Sequence, residues 1–230
     1  MRFVLTILVP QNELKALYNE TPMMKALVAA LAAVLLAAAG ASTVTLAQTR
    51  RIASPAGASA SEVGGRHDER AGYVGGKWLE ILHGRPIKRG RNLFGLPDHV
   101  DWLNDGAPVW RAGANVSTRL KTDVALVIGG KDVAPGEYTM FIDLQPSPWV
   151  FILSTWPAVT TFDDKNRQGL YGAYDYTPDR DVVRVPMTRE TLTHSFEQLS
   201  WQFLDMTDAG GRLALIWDKE LASVPFQIRK

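Results

Sequence analysis

Two short glycine-punctuated segments hold most of the residues able to do chemistry. The first is Gly84-Arg85-Pro86-Ile87-Lys88-Arg89-Gly90-Arg91-Asn92-Leu93-Phe94-Gly95; the second is Trp110-Arg111-Ala112-Gly113-Ala114-Asn115-Val116-Ser117-Thr118. They bring together Arg85, Arg89, Arg91, Arg111, Lys88, Asn115 and Trp110. A guanidinium is a planar fork of donors that matches a carboxylate, sulfate or phosphate, so such a cluster can read an anion. The competing use is structural, with each arginine tying down a loop through carbonyls or through Asp98, Asp101 or Asp123. Asn115 divides the same way between capping a turn and reading a ligand amide or hydroxyl, and Gly113 serves either a positive φ or a close backbone approach.

Other chemistries find less support. His67, His83, His99 and His194 form no metal-binding or metalloprotease spacing. His99 among Asp98, Asp101 and Asp105 is the nearest approach to a ligand set, and a solvated acidic loop accounts for it, so no metal and no cofactor is expected. No Gly-x-Ser-x-Gly elbow is present, and Ser117 and Ser154 lack the surroundings of a nucleophile. A two-carboxylate hydrolase needs a pair set by space rather than sequence, for which Asp143, Asp163, Asp164, Asp175 and Glu197 are all eligible, with His83 as a possible base. No catalytic residue is singled out. Trp102, Trp110, Trp149, Trp156, Tyr171, Tyr174 and Tyr176 are core by default; Tyr171, Tyr174 and Tyr176, flanking Gly169 and Gly172, are the better-placed set for an exposed sugar-stacking platform.

These residues need a scaffold, and the pattern from residue 77 onward is strand, turn, strand. Lys77 to His83 is a short apolar run ended by Gly84. Val116, Thr118 and Leu120 alternate with Ser117, Arg119 and Lys121. Tyr138 to Leu144 and Trp149 to Trp156 read as strands joined by a hairpin-length loop, and Gly129-Gly130-Lys131 reads as a hairpin tip. Pro186 within Asp181 to Thr188 marks an edge strand. His194 to Gln198, Leu199 to Met206, Arg212 to Asp218 and Ser223 to Arg229 complete the series. No segment here has a sustained helical period, although 157–169 has room for one helical turn. The expected fold is all-β: a single antiparallel β-sandwich or flattened barrel of short strands.

Ahead of it, Lys25, the apolar run Ala26 to Ala39 and the small residues up to Ala47 have the layout of a secretory signal peptide, an N-terminal helix cleaved after Ala47 or after Ala41. The run is shorter than the roughly 20 apolar residues of a spanning helix. The expected organisation is a mis-extended reading frame over 1–22, a signal peptide over 23–47, a flexible lead-in with the first strand over 48–76, and the β-sandwich over 77–230. The chain contains no cysteine, which removes disulfides and thiolate chemistry. With 25 Lys and Arg against 24 Asp and Glu it lacks the basic excess of a nucleic-acid binder.

The ordered blocks Gly84-Arg85-Pro86, Lys88-Arg89-Gly90-Arg91, Trp110-Arg111-Ala112-Gly113-Ala114-Asn115, Pro135-Gly136-Glu137-Tyr138, Gly172-Ala173-Tyr174-Asp175-Tyr176 and Asp181-Val182-Val183-Arg184-Val185 resemble the domain of unknown function 2911 family. The resemblance runs over about Ser54 to Ile228. It implies an exported, β-rich bacterial protein and no established activity. The chain departs from the family pattern at His83, where a Tyr is usual, at Val116, where an acidic residue commonly follows the Asn, and in a longer loop over Asp98 to Pro108.

The expectation is therefore a periplasmic or secreted, non-enzymatic binding module. Its candidate site is Arg85, Arg89, Arg91, Trp110, Arg111 and Asn115, and its partner an anionic or carbohydrate ligand. No nucleic acid is expected, and membrane contact only through an uncleaved signal segment. The alternatives are a carboxylate-dependent hydrolase acting on a polysaccharide or ester, and a purely structural envelope component.

Overall fold

The computed structural model describes Ala26 and residues 52–229, apart from 95–97, 146 and 167. Apart from Ala26, the signal segment lies outside the described residues, as do the proposed reading-frame extension and Gly95. No helix among the described residues is long and apolar enough to cross a membrane.

Strands β1 (Ala56–Val63), β4 (Lys77–Gly84), β5 (Thr118–Thr122), β8 (Gly136–Asp143), β9 (Val150–Ser154) and β10 (Asp181–Pro186) form a six-stranded antiparallel sheet in the order β1-β4-β5-β8-β9-β10. Strands β6 (Leu126–Ile128), β7 (Lys131–Val133), β11 (Thr188–Thr207) and β12 (Gly210–Ile228) form a second sheet, β11-β12-β6-β7. A small hairpin, β2 (Arg66–Asp68) with β3 (Gly72–Val74), stands apart from both. The protein is an all-β sandwich, and neither sheet closes on itself.

Alternation explains the packing. Leu79 and Ile81 of β4, Leu120 of β5, Met140 and Ile142 of β8, and Phe151 and Leu153 of β9 face Leu199 and Trp201 of β11 and Leu213, Leu215 and Trp217 of β12 in one core. Residues of intervening parity on β8 and β9, Phe141 and Ile152, are also buried, against Val109, Leu170, Ala173 and Tyr176 from the loops over the outer face. That is why these two strands read as unbroken apolar runs. Pro186 lies on the outermost strand, where a missing N–H costs no ladder bond.

Four features differ from expectation. The four segments seen between 194 and 229 are two long strands, β11 and β12, turning at Asp208-Ala209. Register shifts between Thr191 and Phe196 and between Phe196 and Ser200 break the hydrophobic alternation without ending the strand. The loop after Asp98 contains a short helix, α1 (His99–Asn104), closed by Asp105 in a left-handed conformation at φ 54°. Residues 157–169 hold no helix among those described. Strand β1, within the lead-in, pairs with β4 along its whole length, so the sheet begins upstream of residue 77.

Candidate functional site

The two polar segments meet at one end of the six-stranded sheet, where β1 and β5 begin and β4 finishes. They cross so closely that side chains are excluded. A Cβ on Gly84 would lie 1.9 Å from the Ala114 carbonyl oxygen, and one on Gly113 would lie 2.8 Å from Thr118 Oγ1 and 3.1 Å from the Gly84 oxygen. Gly113 is thus required for close approach. Ala112 and Asn115 both adopt positive φ, 51° and 63°. The sharp path of this loop turns the Ala112 carbonyl inward, where it accepts the Trp201 indole N–H at 2.9 Å and the Thr118 hydroxyl at 3.1 Å.

The first segment leaves β4 and runs along the free edge of β11. Ile87 bridges Gln198, Lys88 N–H donates to the Glu197 carbonyl at 2.6 Å, and Leu199 N–H donates to Pro86 at 3.1 Å. A tight turn follows over Lys88 to Arg91, with Arg89 at φ 51° and Gly90 at φ 70°. The Glu197 carboxylate accepts the Arg89 backbone N–H at 2.5 Å and pins that left-handed residue. Lys88 Nζ pairs with Asp218 at 2.5 Å.

Between the segments opens a cleft of about 550 Å³. Arg89, Arg91, Trp110, Arg111 and Asn115 line it, together with Ser54, Trp102, Asp105 and Trp217. The structure therefore brings five of the six residues singled out from sequence to one place. Arg85 is the exception. Its Nε donates to the Leu199 carbonyl at 3.2 Å and its Nη2 to the Ser200 hydroxyl at 3.2 Å, and its stem covers Gly57. It clamps β11 to the end of β4 and does not line the cleft. Trp110 lines the cleft only as floor: it is 1% exposed, stacks on Trp217 at 6.2 Å, and bridges Ile142 through two 2.9 Å backbone bonds.

The arginines differ in what they hold. Arg111, 8% exposed, donates from Nη2 to Asp105 Oδ2 at 3.0 Å and to Tyr174 Oη at 3.3 Å, and from Nη1 to the Asn115 carbonyl at 3.1 Å. The Tyr174 hydroxyl donates to the same Asp105 oxygen at 2.5 Å. That bond, reinforced by Arg111 against a burial penalty, holds the Asp105 carboxyl below the usual carboxylate range, so it is an anion at neutral pH. Arg91 donates to the carbonyls of Lys88 at 2.8 Å and Ile87 at 2.5 Å, and its guanidinium lies 4.8 Å from the centre of the Trp102 ring. The Arg89 guanidinium has no partner among the described residues. Among the described residues neither Arg89 nor Arg91 is paired with a carboxylate, in contrast to Arg111, Arg119, Arg184, Arg189 and Arg212. Asn115 donates from Nδ2 to the Ser54 carbonyl at 3.2 Å.

Sequence reading gave Trp102 no more than a place among the aromatics, and weighed Asp105 only as part of a metal set with His99. Both reach the cleft because α1 carries one and its left-handed cap carries the other. The longer loop over Asp98 to Pro108 was the one signal that could have found them. No group of three or more metal-ligating side chains is assembled among the described residues. His83 is 4% exposed and stands away from the cleft, its Nε2 accepting Trp201 N–H at 3.4 Å. Burial, with the charge of Arg85 adding to it, pushes its imidazole down to about 4, which leaves it neutral and enclosed.

Of the carboxylates eligible for hydrolysis, Asp143 pairs with Arg184 and Glu197 pins Arg89. Asp163, Asp164 and Asp175 line a second hollow of about 540 Å³ with Phe162, Tyr171 and Tyr174. Tyr176 is not part of that platform. It is 6% exposed, packs on Phe141, and donates to Asp181 at 2.5 Å.

Fold and site together define a two-sheet β protein carrying an arginine-lined cleft where its most polar loops cross. A family model described as Protein of unknown function (DUF2911) matches residues 67–226, and the chain belongs to that family. No curated protein and no solved structure matches the chain.

Proposed function

We propose that this is an exported binding module, periplasmic or secreted, whose cleft takes an anionic ligand. The observation that carries the reading is Arg89: an exposed guanidinium on a pinned turn, facing a cleft and without a partner among the described residues, beside Arg91, which has no counter-charge among them. Arg111, on the same cleft, is by contrast neutralised by Asp105. A guanidinium held by carbonyls, Arg91, beside a second one carried on a pinned turn, Arg89, gives an anion two forks of donors at one place. The export half of the proposal rests on the Lys25 to Ala47 pattern.

The test is calorimetric titration of the full chain at low salt with citrate, hexanoate and galacturonate, in parallel with Arg89→Gln. At least one anion binds the parent, and the variant loses roughly tenfold or more in affinity, the worth of one charge-assisted hydrogen bond. Its melting temperature stays unchanged, since the Arg89 side chain holds nothing in the fold. Binding that is equal in parent and variant would place the ligand elsewhere. The competing hydrolase reading draws on the three carboxylates of the second hollow, and its signature would be bond cleavage in a polysaccharide or ester that Asp163→Asn or Asp175→Asn abolishes.

A further inference from the structure

Resting on the reading of the cleft as an anion site, we infer that its ligand is a uronic-acid saccharide, with Trp102 as the residue that selects a sugar ring. Size is the first argument. About 550 Å³ lies within the range of roughly 300–1,000 Å³ typical of sites for organic molecules, and an inorganic anion would leave most of it filled with water.

Charge is the second. Three guanidiniums, Arg89, Arg91 and Arg111, meet one carboxylate, Asp105, around the cleft. Arg111 already compensates Asp105 at 3.0 Å, so the remaining excess calls for a ligand with net negative charge. That places a zwitterionic amino acid second.

The third is the mixture of hydrogen-bonding groups. Asp105 uses Oδ2 for both Arg111 and Tyr174, and its Oδ1 has no partner among the described residues. Asn115 uses Nδ2 on Ser54, and its Oδ1 likewise has none. A site built for a bare carboxylate or a fatty acid needs donors only. Here, one ionised acceptor, Asp105, and one amide oxygen, that of Asn115, sit beside the arginines, and a second negative group near Asp105 would be repelled. Hydroxyl groups satisfy both acceptors. The ligand thus carries one carboxylate for Arg89 and Arg91 and hydroxyls for Asp105 and Asn115.

Trp102 completes the set. Its side chain, 47% exposed on α1 with Arg91 over it, lines the cleft and offers a ligand an aromatic ring. The C–H face of a pyranose is flat and apolar and fits such a ring.

The experiment compares digalacturonate, its neutral counterpart lactose, hexanoate and glutamate by calorimetry on the full chain, with Trp102→Ala and Trp102→Phe. The expected result is that digalacturonate binds at least roughly tenfold more tightly than the other three. Trp102→Ala loses about tenfold for digalacturonate, and Trp102→Phe recovers part of it. Equal or tighter binding of hexanoate or glutamate, or an unchanged digalacturonate affinity in Trp102→Ala, overturns the saccharide assignment and leaves the anion site standing. Failure of every anion to bind overturns both. Trp102 is a surface residue on a short helix, and the melting temperature of each variant separates lost binding from lost fold.

Discussion

Arg89 and Arg111 show how differently the same side chain is used within one cleft. Arg111 is enclosed by Asp105, Tyr174 and the Asn115 carbonyl and sets the shape of the wall, whereas Arg89 projects from a turn held by its backbone alone. Residue types and spacing were enough to draw attention to both, because two short glycine-punctuated segments concentrate the polar side chains. They did not separate structural from free guanidiniums, since that depends on which carbonyls and carboxylates other strands deliver. Arg85 was removed by β11, more than a hundred residues away in sequence, and Trp110 by its stacking on Trp217. His83 makes a further prediction at this scale. Its imidazole titrates near 6.5 when unfolded and near 4 when folded. Between these values the unfolded chain binds the extra proton, so stability is full above about pH 6.5 and falls as pH drops toward 4. The loss should approach about 3 kcal/mol and level off below that. Urea denaturation at a series of pH values checks this, and His83→Gln should flatten the slope over that window; an equal slope in the variant would assign it to other groups.

At the level of elements, the site exists because two loops cross where only glycine fits. Gly84→Ala drives a methyl into the Ala114 carbonyl and should cost about 3 kcal/mol or more, as forced overpacking against backbone does. Gly90→Ala, at φ 70° with open space around it, should cost only about 1 kcal/mol for the left-handed backbone. Thermal unfolding of the two variants side by side tests this ordering, and similar losses would contradict the crossing geometry. The strands themselves were largely legible: β4, β5, β8, β9 and β10 follow apolar alternation or unbroken apolar runs ended by Gly or Pro. The long strands β11 and β12 were not, because their bulged and solvent-facing stretches carry polar residues that look like chain breaks. Helix α1 escaped notice because six residues are too few to establish a helical period.

For the whole molecule, the edge strands are managed by the same segments that build the cleft. Residues 86–88 cover part of the free edge of β11, so the polar loop closes the sandwich and opens the site at once. Family membership was legible from the ordered motif blocks, and the matched span of 67–226 takes in nearly every strand. The proposed export is testable independently: intact mass spectrometry of the protein recovered from a Gram-negative periplasm should give an N-terminus at Gln48 or Ser42, and recovery of uncleaved cytoplasmic chain would refute it. The most direct check on the central claim is a ¹H–¹⁵N titration of the labelled chain with galacturonate, following side-chain as well as backbone signals. The expected result is that the Arg89 and Arg91 Nε–H, the Trp102 indole N–H and the Asn115 amide shift together and saturate, while the Trp201 indole stays fixed. Shifts confined to the Phe162, Tyr171 and Asp175 region, or none at all, would contradict it.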